Sequence, residues 1–262
     1  MARRPSTGFA GLSDRGEGRM QLGHNLTFGL VHAIGGAIAG GHYDDKPFPT
    51  EAELVEQYGT SLSVTREAVK MLTAKGLLAS RPRQGTYVQP ISAWSLLDTD
   101  VLRWLLQRRH AAEVLRQFNQ LRAAIEPTAA EFAARFAWPR DVRRISEAFE
   151  RIAQCEADQE DPLEPQIAFH AAILHASRNP FYAQLQDAVG TALSLSNRIL
   201  RRSNNGALDL GAYSAVRTAI AGGDWEGARD SMHAIVAAGI EILGDSGLES
   251  ASPRSDGEHP AS

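Results

Sequence analysis

Beyond Trp94 the sequence offers no strand signal, and before it there are only two short candidates. Leu77-Leu78-Ala79-Ser80 and Gly85-Thr86-Tyr87-Val88 flank Arg81-Pro82-Arg83-Gln84, which reads as one hairpin with a basic tip. A lone hairpin cannot bury a face by itself and must lean on helices. The fold class is therefore mainly α, with a small helix-and-hairpin module in front and an all-helical bundle behind. At 262 residues the chain is long for one core and comfortable for two.

The front module has readable parts. Leu26, Leu30, Ile34 and Ile38 recur at spacing four, one face of a helix ending at Gly40-Gly41. Thr50 and Glu53 form a capping-box pair that opens a short helix over 51–58, stopped by Gly59. Ser63 can cap the next helix, whose apolar positions Val64, Ala68, Val69, Met71 and Leu72 leave Arg66, Lys70 and Lys75 on the other face before Gly76 ends it. Short helix, tight turn, second helix and β-wing are the parts of a winged helix-turn-helix, whose second helix enters the major groove.

Charge agrees once it is divided. The whole chain carries −4, which speaks against nucleic acid, but residues 60–89 hold five basic groups and one acid. Thr50, Ser61, Ser63 and Thr65 offer short hydroxyls, and Arg66 and Lys70 can neutralise phosphates. Arg81, Arg83, Gln84 and Gly85 form the wing tip. These ten are the expected DNA contacts, with a double-stranded operator as partner.

From 95 onward helical patterns cover about 95–109, 111–136, 140–157, 163–177, 180–202, 208–221 and 225–243, a bundle of six or seven helices. Pro127 should kink the second. The expected division is a disordered tail over 1–22, the DNA-binding domain over 23–90, a linker helix over 91–109, an effector-binding and dimerisation domain over 110–244 and a second tail over 245–262. The single Cys155 excludes an internal disulfide, and no apolar run is long enough to span a membrane. The Arg3-Arg4 start lacks an apolar segment behind it, so no signal peptide is read and a cytoplasmic location is expected.

Phe48-Pro49-Thr50-Glu51, Thr65-Arg66-Glu67-Ala68-Val69, Gly76-Leu77-Leu78 and Arg81-Pro82-Arg83-Gln84-Gly85-Thr86 together resemble the N-terminal domain of GntR-family transcription regulators. Leu62 and Ala52 stand where that family usually has base-reading arginines, so the resemblance does not carry an operator sequence. Further on, Leu121 to Glu126, Phe169-His170, Asn179-Pro180 and Ala219 to Asp224 with Met232 resemble the effector-binding FCD domain of the FadR subfamily. The stretch from Trp94 to Trp104 is similar to the linker of the branch that includes galactonate repressors.

Many such domains hold a divalent metal with one Asp and three His. The matching positions here are Gln166, His170, Tyr213 and Ile235, so only His170 remains and neither metal nor other cofactor is expected. What the resemblance implies instead is direct capture of a small carboxylate or sugar acid by Arg122, Gln166, His170 and Tyr213, with Arg198 as a further candidate and Arg201 and Arg202 read as a solvated face. Glu126 and Glu131 are five apart, while Asp158, Glu160 and Asp161 lie in a loop. Neither set converges by helical spacing, and no nucleophile or phosphate-loop motif is present. The expectation is a homodimeric, ligand-responsive DNA-binding transcription regulator and repressor, with coupling through the Trp94–Trp104 segment. The rivals are a metal-dependent regulator of the same subfamily and a helical-bundle enzyme with an accessory DNA module.

Overall fold

A computed structural model describes residues 14–82, 85–107, 111–203 and 208–245, with backbone alone at 14–25, 199–203 and 242–245. The chain divides into two compact units, one reaching Trp104 and the other starting at Leu105.

In the first unit, α1 (Asp14–Ala39) is followed by α2 (Glu51–Tyr58), α3 (Leu62–Ala74), β1 (Leu78–Arg81) and β2 (Gly85–Val88). A 3-10 turn (Ile91–Ala93) and α4 (Thr99–Leu105) complete the run. Residues 14–22, expected in a tail, continue α1 toward the N-terminus; residues 1–13, 246–262, Arg83 and Gln84 lie outside the described residues. The capping box at Thr50 is formed: Glu53 N donates to Thr50 Oγ1 at 3.3 Å, and Thr50 N donates to Glu53 Oε2 at 2.7 Å. The cap of α3 is Ser61, whose hydroxyl accepts from Val64 N at 3.3 Å, rather than Ser63. β1 and β2 pair antiparallel, Leu78 opposite Val88 and Arg81 opposite Gly85. Val31, Ile34, Ile38, Leu54, Ala68, Leu72, Leu77 and Leu78 are the buried apolar positions that hold α1, α2, α3 and the hairpin together.

Of the segment read as one helix over 95–109, α4 is the helical part, and residues 95–98 form a docked turn before it. Trp94 is buried and donates its indole N–H to the Gln89 carbonyl at 2.8 Å, and Ser95 N donates to the Lys75 carbonyl at 3.0 Å. Asp98 then caps α4, accepting from Asp100 N and Val101 N at 3.0 and 3.2 Å. Lys75, expected on the solvent face of α3, sits past its end and donates to both Asp98 oxygens at 2.8 and 2.7 Å, with Asp100 at 3.1 Å. Trp104 is buried against Gly35 of α1, where any Cβ would collide with the indole ring, and its N–H donates to His32 Nδ1 at 3.1 Å. Gly76 has φ +80°, and a Cβ there would strike the Ala93 carbonyl oxygen, so this turn needs glycine twice over.

The second unit runs α5 (Ala111–Phe136), α6 (Pro139–Asp158), α7 (Leu163–Ala176), the single turn α8 (Pro180–Ala183), α9 (Gln186–Ser203), α10 (Leu210–Gly222) and α11 (Trp225–Asp245). The pattern read as 180–202 is thus two helices, α8 started by Asn179, whose Oδ1 accepts from Phe181 N at 3.0 Å. Helix α5 continues through Pro127. Helix α6 starts where Asp141 accepts from Trp138 N at 3.1 Å, with Pro139 in the first turn. Helix α5 packs on α7, α10 and α11, and α6 on α7 and α10. Leu115, Ala129, Ala133, Ile145, Ile152, Phe169, Ile173, Val216 and Met232 fill the interior.

Candidate functional sites

Each unit carries one candidate site. On the first, the buried face of α3 is Thr65, Ala68, Val69 and Leu72, which leaves Leu62, Ser63, Arg66, Glu67 and Lys70 on the open face. Thr65 does not belong to the DNA-facing set. It is fully buried and its Oγ1 lies 3.0 Å from Thr60 Oγ1, a hydrogen bond that joins the turn to the helix. Thr50 and Ser61 are exposed, but their hydroxyls are engaged in caps. Arg66 donates from Nε to Glu51 Oε2 at 2.8 Å, an exposed pair that ties α3 to α2 and holds one edge of the guanidinium. Lys70 lies 3.8 Å from Glu67 and is otherwise open to solvent. On the wing, Arg81 stacks on the Tyr87 ring at 4.6 Å, and Gly85 supplies the φ of +81° that lets the chain return. Arg83 and Gln84 lie outside the described residues.

On the second unit, buried polar side chains of α5, α7 and α10 meet in a chain of hydrogen bonds. Arg122 donates from Nε to Glu126 Oε1 at 2.5 Å and from Nη1 to Asn119 Oδ1 at 3.1 Å. Helical spacing of four makes the Arg122–Glu126 contact almost automatic. Glu126 Oε2 lies 2.5 Å from His170 Nδ1, and His170 Nε2 lies 3.3 Å from the Tyr213 hydroxyl. An ionised carboxylate only accepts, so Nδ1 of His170 donates to Glu126, while Nε2 faces the Tyr213 hydroxyl.

Burial by itself would raise the Glu126 pKa, but the Arg122 guanidinium and the His170 contact reverse this and hold it at about 2. Burial pushes the Tyr213 hydroxyl well up, and Gln166 is within hydrogen-bond reach of it. The chain of groups opens into a cavity of about 590 Å³, lined by Arg122, Gln166, His170, Ser196, Tyr213 and Ile235 among others. Ser196 Oγ is buried with no hydrogen-bond partner among the described residues.

Arg122, Gln166, His170 and Tyr213, chosen from the sequence, are brought together here. Arg198 is not: it is exposed and does not line the cavity. The side chains of Arg201 and Arg202 lie outside the described residues. Glu126 does not converge with Glu131; its partner is His170, on another helix. The readable signal was its spacing from Arg122. As a divalent-metal site the donor set fits poorly. Gln166 is neutral, Ile235 has no donor, both nitrogens of His170 are engaged, and a guanidinium stands in the same cavity.

Comparison with known proteins matches both units. Residues 31–88 match the model of the gntR family of bacterial regulatory proteins, and residues 117–238 match the FCD domain. The chain is 33% identical over 180 residues to the galactonate operon transcriptional repressor of Escherichia coli (strain K12), covering 68% of this chain and 77% of that one. It is 29% identical over 204 residues to the putative L-lactate dehydrogenase operon regulatory protein of the same organism, covering 71% and 73%. Among solved structures, that of Lar, which controls the expression of the Listeria monocytogenes agr system, has the same fold. It aligns with a TM-score of 0.53 at 16% identity over 83% of this chain and 96% of that one. The chain belongs to the GntR family, with a helix-turn-helix domain followed by an FCD domain, and is a ligand-responsive DNA-binding transcription regulator.

Proposed function

We propose that the chain acts as a homodimeric repressor whose grip on a pseudo-palindromic operator is altered when a small hydroxy acid enters the FCD cavity. The observation that carries this is the buried Arg122–Glu126–His170–Tyr213 chain at the cavity wall. A guanidinium whose Nε edge is held by Glu126 keeps further N–H groups for a ligand carboxylate. The unpartnered Ser196 hydroxyl and the Gln166 amide suit ligand hydroxyls. Two relatives are named for operons of hydroxy acids, galactonate and L-lactate. Symmetry supports the dimer: two recognition helices on two half-sites need a two-fold protein.

The test is a thermal-shift screen of sugar acids and hydroxy acids, with hits repeated on a DNA-binding isotherm. A ligand at 100 times its Kd stabilises by about 2.7 kcal/mol. A hit that also changes DNA affinity supports the reading, and no response to any hydroxy acid refutes it. The poor donor set favours a metal-independent mechanism, and stoichiometric zinc, nickel or manganese in protein purified without chelators would overturn that part.

A further inference from the structure

The leading end of α3 presents a group that cannot donate or accept a hydrogen bond. Leu62 is the first residue of the helix, immediately after the Ser61 cap, and remains 44% exposed. Helical spacing of four places it in line with Arg66 and Lys70, both on the open face. The N-terminal turn of a recognition helix is the part that reaches base edges. In that turn the Ser61 hydroxyl is occupied by Val64 N, and the nearest cation, Arg66, lies one turn further on and is bridged to Glu51.

Base edges in the major groove offer one apolar feature, the C5-methyl group of thymine, which 5-methylcytosine shares. Polar edges facing Leu62 would lose water and gain no partner, at a cost. We propose that Leu62 is a specificity-determining residue that packs on the C5-methyl of a pyrimidine in the bound duplex. The inference rests on the DNA-binding role of α3. Arg66 and Lys70 hold the backbone, Ser63 remains available for a polar edge, and Leu62 selects a methyl where an arginine would select guanine.

The experiment begins with selection of duplexes from a random pool by the full-length protein. Affinity is then measured for a selected duplex in which each thymine in turn is replaced by deoxyuridine, which removes only the methyl. One position should weaken binding about four-fold, the factor that burial of one methyl-sized group carries. A cytosine at that position should bind better when 5-methylated. In Leu62→Ala the deoxyuridine penalty should vanish while salt-dependent binding persists; Leu62 is exposed, so this variant keeps the fold. A wild type indifferent to every deoxyuridine, or a Leu62→Ala protein that retains the penalty, overturns the assignment. Failure to enrich any duplex, or to bind DNA at low salt, overturns the DNA-binding role of α3 and the assignment with it.

Discussion

Replacing Glu126 by Gln is the sharpest test of the buried chain, because it removes a charge and little volume. Glu126, Arg122 and His170 are all buried, and Glu126 itself does not line the cavity, so a stranded guanidinium is poorly compensated there. Two routes give the magnitude. Removing one partner of a buried ion pair costs about 3–5 kcal/mol, mainly through the stranded charge, here the Arg122 guanidinium. Independently, a carboxyl moved from 4.5 to about 2 on folding contributes roughly 3 kcal/mol at neutral pH. Because the folded pKa is depressed, this contribution is complete above about pH 4.5 and is lost as pH falls toward 2.

Urea unfolding of the two proteins at pH 7 should therefore differ by about 3 kcal/mol, all of it in the transition of the FCD unit. In melting temperature this is about 6–12 °C for a unit of this size. The gap should shrink by roughly half by pH 3. A double replacement, Arg122→Met with Glu126→Leu, should recover most of the stability, since an apolar pair removes both charges together. A Glu126→Gln protein within 1 kcal/mol of the parent at pH 7, or a gap that does not change with pH, would refute the electrostatic account.

Arg66→Ala should weaken binding to specific and random duplexes alike and lower the salt slope by about one, as measured by isotherms at several salt concentrations. Gly76→Ala should destabilise the winged-helix unit by about 2 kcal/mol or more, seen as an earlier unfolding transition, because a left-handed turn and a carbonyl collision act together. Lys75→Met should leave Asp98 and Asp100 without their shared cation; hydrogen exchange of the amides at 95–104 should quicken while α2 and α3 stay protected. Unchanged exchange would mean that the Trp94 and Trp104 packing holds this segment without the ion pairs.

Local rules made much of this readable. The Thr50–Glu53 box, the Gly59 and Gly76 stops and the β1–β2 hairpin depend on neighbours within a few residues, and the helical pattern of α5 matches its range. The errors came where a tertiary contact or a cap overrides the helical pattern. Thr65 looks like a groove hydroxyl until Thr60 and the core claim it. Lys75 looks like a solvated cation until Asp98, twenty-three positions on, is folded back to it. The Trp94–Trp104 stretch has apolar periodicity enough for a long helix, but the Asp98 cap and the docking of Trp94 break it. In the FCD cavity, the family resemblance pointed to Arg122, Gln166, His170 and Tyr213, while Glu126 needed the approach of α7 to α5 to show what it does.

The docking of residues 91–104 has a consequence for anyone recombining such regulators. A chimera that joins this DNA reader to another sensor at residue 90, just after the wing, would discard Trp94, both aspartates that hold Lys75, and the indole that fills the slot at Gly35. The donor fragment would then carry an open apolar groove and an unmatched lysine. The junction that respects the physics lies after α4 and before α5, so that the tryptophan segment travels with the reader as its last structural layer.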